Sequence, residues 1–491
     1  MKSLKKVIAV LLTILLTLSV APVAIAADDD AEVKWFTSYG IEKGTGTLAE
    51  AAASGIPGCK ISLLKDITAL DETITFTRDA VIVGNGHTIT RSETNANAMF
   101  VVNNTANLTF TNVTVDGNSA NFPGYTQPIV SVISGKVILN DGAHLTSNNA
   151  RNSDGGAISA GSTQLSTAVN CYVVMNSGSK ISNCSAATAG AVYLNNKAEM
   201  TMNGGVIENC QSAYDGGAIV VSKDTSILTI KNGEIKNCEA SVASAGYTGS
   251  AIYAPKGTVT LENAVITGNT NTSDKGAVYF SSAATFAVGG NVYVYDNNGS
   301  SAQSNIYVPE HAVIAIASEI TDTAKIGVTA PSYFGATNTA DSSFIETDNL
   351  MGFVYNDADG RTFLKDNGVT TLIRAITVTF NPGNGVCPVE SKVYAVNYAY
   401  DFLPECDPRE GFDFLGWYTA NDELVTEDDI VTSAKDITLY AKWENLNKLD
   451  DSPFAVIGRF FERIGDLMRI VFDFLESLFT GSGNKDLEEL K

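Results

Sequence analysis

The sequence predicts an all-β protein whose largest part is a parallel β-helix. A glycine-rich segment recurs along the chain, as DGGAI at 154–158 and 215–219, AGAVY at 189–193, GSAIY at 249–253 and KGAVY at 275–279. The central alanines, which lie 34, 27, 33 and 26 residues apart, are Ala157, Ala191, Ala218, Ala251 and Ala277. Repetition at this period is typical of a solenoid. The runs between the copies alternate apolar and polar residues and have no helical period, which favours strands.

The first 26 residues have the pattern of a secretory signal peptide. Lys2, Lys5 and Lys6 precede an apolar run over residues 7–20, and small residues follow at 24–26. An N-terminal anchor helix is the alternative, but the apolar run is short for a membrane span. We therefore expect residues 1–26 to be removed and the fold to begin at residue 27.

A short helix and less regular coils are predicted before the glycine-rich copies. The segment TLAEAAAS at 47–54 predicts a helix, with Thr47 and Glu50 forming a capping box. Such a helix would cover the open end of a stack of coils, where unpaired strand edges invite aggregation. Residues 80–91 and 108–118 have the pattern of further coils, and strand character at 305–320 predicts closing coils that extend to about residue 375.

Each repeat contains two or three short strands. The first strand follows the glycines and points a pair of apolar residues inward; these pairs are Ile158/Ala160, Val192/Leu194, Ile219/Val221, Ile252/Ala254 and Val278/Phe280. A second strand is clearest at 228–233 and 259–264, and a third at 180–184, 206–210 and 234–238. Because no helix lies between them, each repeat predicts one coil, stacked about 4.8 Å from its neighbours.

The third strand ends in a column of asparagines and a column of cysteines. The asparagines are Asn183, Asn209 and Asn237, and they suit a bend because asparagine tolerates left-handed backbone. The cysteines that follow are Cys184, Cys210 and Cys238. We interpret them as small apolar residues that fill a corner. A thiol ladder with metal or redox chemistry is the alternative, and adjacent coils are close enough for a disulfide.

These coils resemble the right-handed parallel β-helix superfamily, the pectin-lyase-like fold. They are most similar to the GGAI-bearing repeats of bacterial surface and adhesin-like proteins. The resemblance covers about residues 47–375, so we predict a β-helix domain over 27–375 that includes an N-terminal cap helix and a C-terminal cap. The resemblance implies a fold but no activity, because this fold hosts lyases, hydrolases and binding proteins.

Residues 376–444 have a different pattern. The phrases TVTFNPGNG at 377–385, GFDFLGWY at 411–418 and ITLYAKW at 437–443 predict three strands. Their aromatic residues predict a small core made of Phe380, Phe412, Trp417, Tyr418, Tyr440 and Trp443. The order of phrases resembles the internalin-type B-repeat, or Listeria–Bacteroides repeat, a small β-grasp-like module of bacterial surface proteins. This resemblance implies a spacer or interaction module.

Two cysteines, Cys387 and Cys406, lie in this second domain. They are our candidate disulfide, and two free thiols are the alternative.

The remaining residues, 445–491, comprise a linker, an amphipathic helix and a polar tail. Apolar residues recur every three or four positions over about 452–480, with Ser452 as N-cap and Pro453 as first residue. The charges along the helix exclude a membrane span. A helix partner or self-association, a membrane surface, and packing on the second domain remain open as its role.

Composition restricts the classes of partner. The formal net charge is -22, and about -25 once the three signal-peptide lysines are removed, so the surface repels nucleic acid. The seven cysteines form no CxxC pair and no zinc-ligand spacing. We predict no metal and no cofactor.

The coils offer more evidence for binding than for catalysis. Asp154, Asp215 and Asp274 each precede a turn, as solvated turn residues do, and three histidines are widely scattered, so no catalytic residue is predicted. Three tyrosines fall in one outward column, interrupted by Val220, and could stack on sugar rings: Tyr193, Tyr253 and Tyr279. Stabilisation of the sheet by ordinary aromatic stacking is the alternative.

Together these features predict a non-catalytic, secreted or cell-surface, adhesin-like protein. Its rod-shaped β-helix would bind glycans or surface partners, and no covalent sorting motif of the LPxTG type is present. The alternatives are a polysaccharide lyase or glycoside hydrolase on the same scaffold and a purely structural envelope component.

Overall fold

The computed structural model divides the chain into two units, Met1–Ala375 and Ile376–Lys491. It describes residues 30–122, 125–241, 249–273, 275–300, 303–309, 312, 314–321, 323–329, 343–345, 354–356, 361–366, 369–433 and 435–446, and the helical positions 464, 465, 468, 469 and 471. The predicted signal peptide lies outside the described residues.

The first unit begins with a hairpin and the predicted cap helix. Strand β1 (Val33–Phe36) pairs antiparallel with β2 (Glu42–Gly46), and helix α1 covers Leu48–Ala53. The capping box is confirmed, since the Glu50 amide donates to Thr47 Oγ1 at 3.2 Å and the Thr47 amide donates to Glu50 Oε2 at 2.9 Å. Leu48 is buried in the core cluster of the coils, so α1 covers the first coil as predicted.

The coils stack into a parallel β-solenoid of about eight turns over residues 74–326, which confirms the predicted fold. Ladder 1 contains the predicted second strand of each repeat and its equivalents in the other coils: β3 (Cys59–Leu63), β6 (Ala80–Val83), β9 (Ala106–Thr111), β12 (Gly135–Leu139), β16 (Cys171–Met175), β20 (Ala198–Met202), β24 (Ile227–Ile230), β28 (Thr258–Glu262), β32 (Thr285–Gly290) and β35 (Ile314–Ile320). Ladder 2 contains the next strands: β4 (Ile67–Leu70), β7 (Thr88–Arg91), β10 (Thr114–Asp116), β13 (His144–Thr146), β17 (Lys180–Ser182), β21 (Val206–Glu208), β25 (Gly233–Lys236), β29 (Ala264–Thr267), β33 (Tyr293–Val294), β36 (Lys325–Thr329) and β38 (Val354–Asn356).

Two further ladders complete the coils. Ladder 3 contains the strands that follow the glycines: β5 (Ile74–Phe76), β8 (Phe100–Val102), β11 (Val130–Val132), β15 (Ile158–Ala160), β19 (Val192–Leu194), β23 (Ile219–Val221), β27 (Ile252–Ala254), β31 (Val278–Phe280) and β34 (Ile306–Tyr307). A short ladder 4 lies between ladders 2 and 3: β14 (Asn149–Asp154), β18 (Ser185–Thr188), β22 (Gln211–Ser212), β26 (Glu239–Ala240) and β30 (Thr270–Asn271). Near the end of the unit, β37 (Ser343–Ile345) and β39 (Arg361–Asp366) pair antiparallel with β40 (Val369–Asn381).

The interior of the solenoid is apolar, as the alternation predicts. All five inward-facing pairs of ladder 3 are fully buried, from Ile158/Ala160 to Val278/Phe280. The predicted asparagine bends are also confirmed, because Asn183, Asn209 and Asn237 all have left-handed backbone, with φ of 54°, 54° and 52°. The cysteines after them are buried, so they do fill the corner of the coil.

The two glycines of the DGGAI motif are needed for different structural reasons. Gly216 has a φ of +65°, which glycine adopts without strain. Gly217 instead faces the next coil, and a Cβ at this position would lie 2.1 Å from the carbonyl oxygen of Ser250. The first glycine therefore permits the turn, and the second permits the coils to approach.

The second unit contains a small mixed sheet, confirming the predicted second β domain. The end of β40 pairs parallel with β44 (Ile437–Asn445), which pairs antiparallel with β42 (Phe412–Tyr418); β43 (Leu424–Val425) and β41 (Ser391–Ala395) complete the strands. Phe380 and Trp417 are buried, with ring centroids 4.8 Å apart. The predicted aromatic core is otherwise different: Tyr394 and Tyr400 are buried, whereas Tyr440 is exposed.

The predicted C-terminal amphipathic helix lies mostly outside the described residues. Its described positions are helical, and Ile464, Met468 and Val471 are exposed.

Candidate functional site

The outward residues of ladder 3 form the tyrosine column, which consists of Tyr193, Val220, Tyr253, Tyr279 and Tyr307. Each pairs in register with the next on consecutive coils. The predicted alignment of Tyr193, Tyr253 and Tyr279, with Val220 interrupting, is therefore present. Tyr307 extends the column, and the repeat pattern does not predict this because the coil of Tyr307 lacks the glycine-rich motif.

Only part of the tyrosine column is open to a ligand. The Tyr253 and Tyr279 ring centroids are 5.4 Å apart, and those of Tyr279 and Tyr307 are 5.5 Å apart, with interplanar angles of 29° and 21°. Tyr279 is 5% exposed and Tyr307 4% exposed. The expectation that Tyr279 is exposed like the other two is thus corrected, because neighbouring rings cover both of its faces.

Lys275 closes the far end of the column. Its Nζ lies 4.6 Å from the centroid of the Tyr307 ring and donates a hydrogen bond of 3.0 Å to the Tyr307 hydroxyl. This cation–π contact adds stability to the stacked rings. Tyr279 and Tyr307 therefore stabilise the sheet by aromatic stacking, which is the alternative role given above for Tyr279.

The other end contains a gap between two half-buried tyrosines. Val220 separates Tyr193 from Tyr253, so these two residues lie two coils apart, or about 9.6 Å. We name the position of Val220, where the stack of tyrosines is interrupted, the Val220 gap. Val220 itself is 2% exposed, so the outer surface at this position is formed by the half-buried Tyr193 and Tyr253.

Two carboxyl groups border this region on the turn that precedes ladder 3. Asp154 pairs in register with Thr188, and the Ala189 amide donates to the Asp215 carbonyl at 3.0 Å, so the two aspartates are also two coils, about 9.6 Å, apart. Desolvation raises the pKa of Asp154, although its side chain reaches solvent. Burial raises the pKa of Asp215 to about 6. Asp215 is thus half-buried and not the fully solvated turn residue that its position predicted, while Asp274 lies outside the described residues.

We predict that Asp215 makes stability depend on pH. The pKa of Asp215 is higher in the folded state than its ordinary value of 3.8, so the folded state binds this proton more tightly than the unfolded state does. The resulting stabilisation is complete below pH 3.8 and is lost as the pH rises through about 6. Between pH 4 and pH 7, the free energy of unfolding of the wild type should therefore fall by about 1 kcal/mol relative to that of Asp215→Asn, after allowance for solvent screening. Urea unfolding followed by circular dichroism at both pH values measures this difference.

Asp66→Asn is the matched control for this prediction. The Thr88 amide and His87 lower the pKa of Asp66, so its contribution is lost as the pH falls. As the pH rises, the stability of Asp215→Asn should increase relative to wild type, and the stability of Asp66→Asn should decrease relative to wild type. Equal pH dependence of wild type and Asp215→Asn would contradict the prediction.

The histidines lie apart from the tyrosine column. His87 Nδ1 is 3.1 Å from Asp66, and His144 Nε2 is 2.7 Å from Ser182 Oγ. Ser182 is buried under its neighbours, so its hydroxyl is closed to a substrate. His311 lies outside the described residues. The prediction of scattered histidines agrees with these positions.

The two cysteines of the second unit are neighbours. Cys387 lies within hydrogen-bonding reach of Cys406, and burial, together with the neighbouring Cys387 side chain, raises the pKa of Cys406 to about 12. Both thiols are free in this structure, and the disulfide between them stays a prediction. Within the described ranges, no group of three or more histidine, cysteine or acidic side chains is placed to hold a metal ion.

Comparison with known proteins identifies one region of the chain. The family described as the Listeria-Bacteroides repeat domain matches residues 377–442. No curated protein and no solved structure matches the chain significantly. The chain thus combines a parallel β-helix with a Listeria-Bacteroides repeat, a domain typical of extracellular surface proteins. In the described part of the chain, no helix is both long and apolar enough to cross a membrane.

Proposed function

We propose that this protein is a non-catalytic, secreted or cell-surface, adhesin-like protein that binds glycans through its β-helix. The observation that carries this proposal is the Val220 gap, where the half-buried Tyr193 and Tyr253 flank the buried Val220 on consecutive coils. A rigid β-helix keeps the two rings at a fixed spacing, so a ligand would not need to order them.

The chemistry around the gap favours neutral sugars over uronates. Sugar rings offer apolar faces for aromatic stacking and hydroxyl groups for hydrogen bonds. Asp154 and Asp215 can accept those hydrogen bonds at the border of the gap, but their charges repel carboxylates. The net charge of -22 acts in the same direction.

Binding to a glycan array tests the proposal. We expect Tyr253→Ala and Tyr193→Ala each to weaken binding of neutral glycans about tenfold, because one ring-stacking contact contributes about 1.4 kcal/mol. Tyr172→Ala is the matched control, since Tyr172 faces outward on β16 of ladder 1. Tyr279→Ala should lower stability and leave the glycan affinity of the folded protein nearly unchanged. Wild-type protein that retains no glycan, or variants that bind as wild type does, would refute the proposal.

A glycoside hydrolase is the second candidate, and the aspartate pair favours it. Asp154 and Asp215 have raised pKa values, as a general acid needs, and they lie two coils apart on the same turn. We prefer binding because burial alone explains the raised pKa of Asp215. Release of reducing ends from neutral polysaccharides by wild type but not by Asp215→Asn would establish the hydrolase. Unsaturated products from uronate polymers, seen by ultraviolet absorbance, would instead establish a lyase.

The other parts of the chain would attach this binding surface to its surroundings. Extracellular location is supported by the Listeria-Bacteroides repeat and by the signal-peptide pattern of residues 1–26. The amphipathic segment 452–480 would provide a contact to a partner helix or a membrane surface, because Ile464, Met468 and Val471 present apolar side chains to solvent.

A further inference from the structure

Three cysteines occupy one buried corner of consecutive coils. Cys184, Cys210 and Cys238 each follow a left-handed asparagine at the end of a ladder 2 strand. The Gln211 amide donates to the Cys184 carbonyl at 2.9 Å, and the Glu239 amide donates to the Cys210 carbonyl at 2.9 Å. Each cysteine is therefore one coil, about 4.8 Å, from the next, which is within the Cα range of disulfides.

The three thiols lie on adjacent coils in the same buried corner. Cys210 is within hydrogen-bonding reach of Cys184 on one side and of Cys238 on the other. Cys184 and Cys238 are two coils apart, so they are too far from each other for a disulfide. Cys210 is thus the shared partner in both possible pairs.

In the neighbouring coils, asparagine side chains at the same corner connect one coil to the next. Asn269 Oδ1 accepts a hydrogen bond of 2.9 Å from the Cys238 amide, and Asn297 Oδ1 accepts one of 3.0 Å from the Asn269 amide. These asparagines tie each coil to the next with buried hydrogen bonds. A thiol is a weaker hydrogen-bonding group than an asparagine amide, but two adjacent cysteines can form a covalent bond between coils.

We infer that Cys210 forms a disulfide with either Cys184 or Cys238 under oxidising conditions, which ties adjacent coils together. Two S–H bonds break and one S–S bond forms. The two hydrogens and their electrons pass to a disulfide oxidant such as oxidised glutathione, which becomes two thiols. Because the folded corner is buried, the exchange takes place in the folding chain before the coils close. One thiol of the three always remains free.

Peptide mapping of the full chain tests the inference. Cys387→Ser/Cys406→Ser protein would be refolded with oxidised glutathione, alkylated under denaturing conditions and digested with trypsin without reduction. Cleavage after Lys180, Lys197, Lys223, Lys236 and Lys256 places the three cysteines in separate peptides, 181–197, 198–223 and 237–256. Mass spectrometry should find peptide 198–223 linked to either of the others. Three alkylated thiols, or a link between Cys184 and Cys238, would overturn the inference.

Single variants in the same background separate the two pairs. Cys184→Ala should leave only the link between 210 and 238, Cys238→Ala only the link between 184 and 210, and Cys210→Ala neither. Oxidation should raise the Tm by about 5 °C in the parent protein and not in Cys210→Ala. Cys171→Ala is the control, because Cys171 pairs with Gly135 and Ala198 on the adjacent coils and should not alter the shift. A shift that persists in Cys210→Ala would contradict the inference.

Discussion

Gly217→Ala is expected to destabilise the solenoid by more than about 3 kcal/mol. The new Cβ would lie 2.1 Å from the Ser250 carbonyl oxygen and 2.7 Å from the backbone of Glu239. Both contacts are with backbone, so no side chain can rotate away, and the next coil must shift. Chemical unfolding followed by circular dichroism at 218 nm or below measures the loss, together with the slope that reports how much surface unfolds.

Gly86→Ala is the control for the steric argument. Gly86 has a φ of +89°, but a Cβ there would meet nothing within 4 Å. The alanine therefore carries only the strain of left-handed backbone, about 1 kcal/mol. If the two alanine variants lose equal stability, close approach of the coils is not the reason for the second glycine of the motif.

Arg91→Ala is expected to lower stability by about 3–5 kcal/mol. The Arg91 side chain is 0% exposed. It donates to the carbonyl oxygens of Asn95, Asn97 and Gln127 and to Oδ1 of Asn148, which joins segments from three parts of the chain. These four bonds, at about 2 kcal/mol each, outweigh the cost of desolvating the guanidinium, roughly 3 kcal/mol.

That cost is visible in the ionisation of Arg91. Burial lowers the pKa of Arg91 to about 10, which leaves the side chain charged at neutral pH. In the described part of the chain, its Nε is buried without a hydrogen-bond partner. Thermal and urea unfolding would measure the loss in Arg91→Ala. Arg91→Lys should be intermediate, because one ammonium cannot reach all four acceptors. Arg78→Ala, at an exposed position, is the control, and a loss as small as in that variant would show that Arg91 is dispensable.

Much of the fold could be predicted because its determinants are local. The alternation in each strand specifies which residues face inward, so all ten inward residues of the glycine-rich copies were correctly identified. The left-handed asparagines and the capping box are also local, since each depends on a few neighbouring residues. The register of the tyrosine column follows from the same repeat.

The candidate site was only partly predictable. Alternation places Tyr193, Tyr253 and Tyr279 on the outer face, but it does not show that Tyr307 would join them and cover Tyr279. Likewise, the turn positions of Asp154 and Asp215 do not reveal how exposed each carboxyl group is to solvent. Exposure depends on the coils above and below, and the irregular spacing of the repeats conceals which residues those are.

The sequence by itself determined that this chain forms stacked coils with an apolar interior, followed by a small repeat domain, because period and alternation act within each repeat. Only the tertiary structure decided that Arg91 is buried, that Tyr307 covers Tyr279 and that Asp215 is half-buried. Those properties arise between coils, where residues 25 to 60 positions apart become neighbours, and no local pattern records such contacts.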